Sequence, residues 1–69
     1  MKNHIYKHIE LTGTSTLTIE DAVANALKRA NKTVKRLCWF QVLETRGNID
    51  KGKVHHWQVP LKIGSAIDD

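Results

Sequence analysis

The side chains able to hold a metal or attack an electrophile are few: His4, His8, His55, His56 and Cys38. His4 and His8 share one face of an extended segment, but about 13 Å apart at roughly 3.3 Å per residue, too far to share an ion. His55 and His56 are adjacent, so their Cβ atoms leave a strand on opposite faces. No Cys or His spacing matches a zinc site, and no metal ligand set is expected within one chain. Cys38 sits beside Trp39, where a small buried role suits it better than nucleophilic catalysis. Glu10, Glu20, Asp21, Glu44 and Asp50 are scattered and form no acid/base pair. No phosphate-cradling loop occurs, and Gly13-Thr14-Ser15 is too short to serve as one. No catalytic residue emerges.

Trp39 and Gln58 offer chemistry of another kind. An indole on an open sheet face can stack on a planar ring, and aromatic pairs add about 0.5–1.5 kcal/mol beyond simple burial. A glutamine amide carries both a donor and an acceptor. It can therefore read a ring edge of alternating carbonyl and N–H groups. A flat aromatic ligand would use this pair, and so would the interface of an oligomer; the two residues leave both readings open. A platform for single-stranded nucleic acid is the generic competitor. Against it, the chain has only two Trp, one Tyr and one Phe. Trp57 and Phe40 pattern as core, and the basic residues gather elsewhere.

The elements that must position these residues follow from periodicity. His4 to Leu11 reads as a strand and Gly13-Thr14-Ser15-Thr16 as a polar break. Thr18 is a helix N-cap, with Asp21 three residues on as a weak capping box and Glu20 beside it at the positive end of the dipole. The helix is expected from Ile19 to Lys35. Ile19, Ala22, Val23, Ala26, Leu27, Ala30 and Val34 make one stripe at about 100° per residue. Lys28, Lys32, Lys35 and Arg36 lie opposite it, and the alanines allow close approach to a sheet. A second strand is expected from Leu37 to Asn48, a turn at Asp50-Lys51-Gly52 with Gly52 at positive φ, and a third strand from Val54 to Gly64. Pro60 cannot donate a ladder hydrogen bond, which suggests an edge or a locally unpaired site.

The order is β-α-β-β, an α+β fold in which a three-stranded antiparallel sheet wraps one helix. Trp57, Val59, Leu61 and Ile63 would pack on the helix with Phe40 and Val42. The other sheet face would carry Trp39, Leu43 and Gln58, adjacent only if the register allows. In Leu37-Cys38-Trp39-Phe40-Gln41-Val42-Leu43 both faces look buried, and a chain this small covers only one.

Size points the same way. The 69 residues are expected to form one domain, 1–69. Chains below about 70–80 residues usually need a staple. One cysteine excludes an internal disulfide, which leaves metal or assembly. The net charge of +4 and pI near 9.5 suit nucleic acid or a phosphorylated cofactor. The residues after Met1 hold no signal-type apolar run, and none approaches the ~20 residues of a membrane helix. A cytoplasmic location without membrane partners is expected.

Taken in order, the motifs resemble those of the dodecins, small flavin-binding proteins. The likeness runs through Asn3-His4-Ile5-Tyr6-Lys7, Glu10-Leu11-Thr12-Gly13-Thr14-Ser15 and Ala30-Asn31-Lys32-Thr33-Val34. It continues in Leu37-Cys38-Trp39-Phe40-Gln41-Val42, Arg46-Gly47, His56-Trp57-Gln58-Val59 and Lys62-Ile63-Gly64. The resemblance implies a hollow homododecamer built from trimers, with flavins in pairs between tryptophans of neighbouring subunits. The stacking tryptophan would be Trp39, the glutamine on the flavin edge Gln58, and an acidic residue near the ribityl chain Glu44. It implies storage and buffering of flavin with quenching of its excited state, without turnover. The implied cofactor is FMN, with riboflavin second.

Departures from the pattern bear on the ligand. Many bacterial members have Asp where Cys38 stands and Glu where Gln41 stands. After Gly64 they run aromatic-Arg where this chain has Ser65-Ala66. That arginine is associated with the FMN phosphate, which leaves Arg46, Lys7 or His4 to replace it. An assembled shell that has lost its flavin is the alternative these departures raise.

Overall fold

The computed structural model describes residues 3–67. The elements are β1 (Tyr6–Ser15), α1 (Ile19–Ala30), β2 (Leu37–Val42), β3 (Arg46–Asp50) and β4 (Lys53–Ala66). The expected α+β architecture is present: one helix and an antiparallel sheet, of four strands rather than three. β4 is central. β1 lies along one side of it, with Ile9 opposite Ile63 and Gly13 opposite Val59. On the other side, β2 pairs with the second half of β4 and β3 with the first.

The expected second strand is thus split in two, and Pro60 marks the split. Val42 faces Leu61 and Arg46 faces Gln58, so three residues of one strand stand against two of β4. The Leu43 N–H donates to the Pro60 carbonyl (2.9 Å). In an antiparallel ladder a residue's N–H and C=O point to the same neighbour. The donor that proline lacks would therefore have faced Leu43–Thr45. Pro60 lies in the central strand rather than at an edge, and the unpaired site it requires is this gap.

β1 runs through the expected polar break to Ser15, which pairs with Trp57. The polar residues there anchor the helix. The buried Ser15 hydroxyl donates to Asp21 Oδ2 (2.7 Å) and accepts from the Leu17 and Thr18 N–H groups. Thr18 caps α1 as expected, its Oγ1 accepting from the Asp21 N–H (2.9 Å). Asn25 ties the next turn to β1 by donating to the Thr14 carbonyl (3.0 Å). The alanine stripe lies directly on Gly13: a Cβ there would clash with the Ala22 carbonyl and sit 2.9 Å from Ala26 Cβ.

The helix stops at Ala30, five residues short of Lys35. Asn31 closes it, and the Lys32 and Thr33 amides make tighter three-residue turns onto Arg29 and Ala30. Arg36 then takes a left-handed φ of 63°, which swings the chain into β2. Asn31, Thr33 and Val34 are weak helix formers, and the backward turn into the sheet outweighs the periodic signal at Val34.

The core is Ala22, Ala26, Ala30, Val59, Leu61 and Ile63. Val59, Leu61 and Ile63 join it as the alternation requires; Trp57, expected with them, does not. It is half-buried beyond the helix, against Gly47. α1 packs on β1 and β4 but not on β2. Phe40 and Val42 consequently remain 48% and 39% exposed, against the expectation that both reach the core. With Ile19, Val23 and Leu27 they line an open groove of about 370 Å³.

The β3–β4 arm extends past the helix, and all of β3 is exposed. It is closed by Lys51 and Gly52 at φ 51° and 77° between the paired Asp50 and Lys53, the two-residue hairpin turn with both central residues at positive φ. The arm makes the chain 53 Å long, with a radius of gyration of 14.2 Å, against about 11 Å for a compact domain of this length.

Candidate ligand face

The sheet face turned away from the helix carries the even-numbered positions of β4. Register puts both sequence candidates there: Trp39 opposite Gly64, and Gln58 between Thr14 and Arg46. Sharing a face does not make them neighbours. Gly64 and Gln58 stand six positions apart along β4, about 20 Å of strand. One chain cannot close Trp39 and Gln58 on the same small ring.

The Trp39 end is built around a glycine. The indole lies over Gly64, where a Cβ would coincide with it. Across β4, His8 and Tyr6 of β1 present their rings at 5.3 and 6.0 Å from the Trp39 ring, at interplanar angles of 75° and 72°. These are edge-to-face contacts that brace the indole from β1. Trp39 itself is half-buried. Just before it, Cys38 forms a bulge, since Leu37 faces Ser65 and Trp39 faces Gly64. Cys38 is exposed rather than buried, its thiol 3.3 Å from the Arg36 carbonyl.

At the far end a chain of polar side chains crosses from the gap to β4. Glu44 Oε1 and Arg46 Nη1 form an ion pair of 2.7 Å. Arg46 Nε donates to Gln58 Oε1 (3.1 Å). Gln58 Nε2 lies 3.1 Å from His56 Nε2, and His56 Nδ1 lies 2.8 Å from His55 Nδ1. The two imidazoles meet although adjacent strand residues point apart, because His55 is an extra, unpaired residue of β4: Asn48 faces His56 and Ile49 faces Val54, a bulge that re-aims the side chain. Three sequence candidates, Gln58, Glu44 and Arg46, thus come together, and Trp39 stands apart from them. Leu43, expected on this face, lies in the gap.

Of the cations available to replace the missing arginine, Lys7 pairs with Ser65 on the helix side, opposite to Trp39. His4 contacts Tyr6 (6.4 Å between rings) near Trp39. Sequence reasoning missed Tyr6, His8 and Gly64 as parts of this face. Lys62 stands between Glu10 and Gln41, next to Gly64 along the face. Only register shows these neighbours. His56 shares the alternation of Gln58 at i,i+2 spacing, but its contact with the amide is visible only in the structure. Among the described residues no group of three or more His, Cys, Asp or Glu side chains converges on a metal-sized site, and no helix is long and apolar enough to cross a membrane.

A single helix on half of a small antiparallel sheet, with an indole seated on a glycine on the opposite face, defines a small α+β class. Comparison with known proteins makes it specific. The Dodecin family model matches residues 5–68, and this chain belongs to that family. It is 43% identical over 65 residues to a dodecin of Thermus thermophilus, spanning 94% of each chain. The solved dodecin of Streptomyces coelicolor superposes with a TM-score of 0.93 at 45% identity, over 100% of this chain and 99% of the other. That of Streptomyces davaonensis gives 0.92 at 38% identity, over 99% and 100%.

Proposed function

We propose that this protein binds flavin without turnover, storing and buffering it and quenching its excited state, at sites between subunits of a hollow homododecamer built from trimers. The observation that carries the reading is the half-buried Trp39 indole seated over Gly64 on the sheet face turned away from the helix. A planar ring laid there meets an electron-rich surface at van der Waals distance. After light absorption an indole in such contact is well placed for rapid, unproductive electron transfer to a flavin.

Separation of the two ligand ends supports a shared site. Gln58 of one copy would reach a ring stacked on Trp39 of another, which a single chain cannot arrange. The exposed Phe40 and Val42 and the long arm favour a chain that completes its burial by assembly. FMN is the proposed ligand and riboflavin the second. Glu44 would lie near the ribityl chain, and Arg46 or His4 would serve as phosphate partner in place of the arginine absent at Ala66. Cytoplasmic residence goes with this role.

Fluorescence titration tests the reading. Wild-type protein at micromolar concentration should quench FMN or riboflavin, and Trp39→Ala should abolish the quenching. If neither flavin is quenched and the purified shell is colourless, the alternative of an assembled shell without flavin takes its place.

A further inference from the structure

The polar chain at the far end fixes the polarity of the Gln58 amide. Arg46 Nε–H can only donate, so the end of the amide it meets at 3.1 Å is the oxygen. The NH₂ end then faces His56 Nε2 at 3.1 Å. That nitrogen must accept, which puts the His56 proton on Nδ1. His56 Nδ1–H in turn donates to His55 Nδ1 at 2.8 Å. Each step follows from the one before, and Arg46 is itself held by Glu44. An amide has two acceptor and two donor positions. One of each is taken, leaving one acceptor and one donor in a fixed order for a ligand.

We infer that His56, in its neutral Nδ1–H form, is the positioning residue that decides which end of Gln58 a ligand edge meets as acceptor and which as donor. The ligand class is a planar ring with an adjacent carbonyl and N–H, the imide edge of a flavin; only that identity rests on the proposed function. A second proton on His56 would set an N–H against the Gln58 NH₂. Turning the amide over would relieve this clash but set NH₂ against Arg46. The charged and titratable groups facing His56 are His55 on β4, and Arg46 and Glu44 across the arm; β1 contributes none, because it ends at Ser15 opposite Trp57.

Edge recognition can be separated from stacking by titrating riboflavin and N3-methylriboflavin, which lacks the imide N–H. Wild type should prefer riboflavin by roughly two- to tenfold, the worth of one net hydrogen bond. His56→Phe should reduce this ratio toward one while still quenching both ligands. His56→Gln, which can offer a carbonyl to the Gln58 NH₂, should restore it. An unchanged ratio in His56→Phe would overturn the inference. Nitrogen NMR of the flavin-free protein supplies an independent decision: an Nδ1–H tautomer at His56 supports it, and an Nε2–H tautomer overturns it. Should no flavin bind, the flavin reading falls and the tautomer still decides whether His56 holds Gln58.

Discussion

Trp39 and Gly64 act as one unit. The indole occupies the space a side chain at position 64 would need. Gly64→Ala is therefore expected to lift the indole off the sheet and weaken flavin quenching about tenfold or more, equivalent to at least about 1.4 kcal/mol. Far-UV circular dichroism should show the strands intact, since alanine fits strand backbone. That Trp39 and Gln58 lie on one sheet face was legible in the sequence because alternation carries it. Their distance was not, because it depends on register, and register follows from which strand is central. Cys38 shows the same limit. Its apolar neighbours suggested burial, but a one-residue bulge, set by pairing with Ser65 and Gly64, turns it to solvent.

Helix and sheet are joined through small residues and caps. Thr18→Ala removes the acceptor of the Asp21 N–H and is expected to cost about 1 kcal/mol. Gly13→Ala drives a methyl into the Ala22 carbonyl and should cost about 1–3 kcal/mol by overpacking. Urea unfolding of the two variants would order them, Gly13→Ala being the less stable. The start of the helix was readable from Thr18 and its acidic first turn. Its end was not: Val34 keeps the periodicity, and only the left-handed Arg36 shows where the chain has to turn back. The split of the second strand had a visible cause in Pro60, whose missing donor implied a gap without saying which partner would carry it.

At the scale of the whole molecule, burial is incomplete. A groove beside α1 keeps Phe40 and Val42 open, and the β3–β4 arm stands clear of the body. The order of elements was legible from the sequence, and so was the need for a partner, because 69 residues without a disulfide could not cover both faces of Leu37–Leu43. Where the helix would sit was not: it lies chiefly on β1, drawn there by Gly13 and the Ser15–Asp21 bond, and leaves Phe40 and Val42 of β2 exposed. Phe40→Asp should therefore shift the protein to smaller species on size exclusion, without direct loss of the α1–β1 contact.

Flavin binding by an assembled shell is the central claim, and sedimentation of the protein mixed with FMN, recorded at a visible wavelength that only flavin absorbs, tests it most directly. Flavin should travel with a species of about twelve times the 7.9 kDa chain, while Trp39→Ala forms a species of the same size that travels without it. Flavin left behind by an assembled wild-type shell, or a protein sedimenting as single chains, would contradict the account.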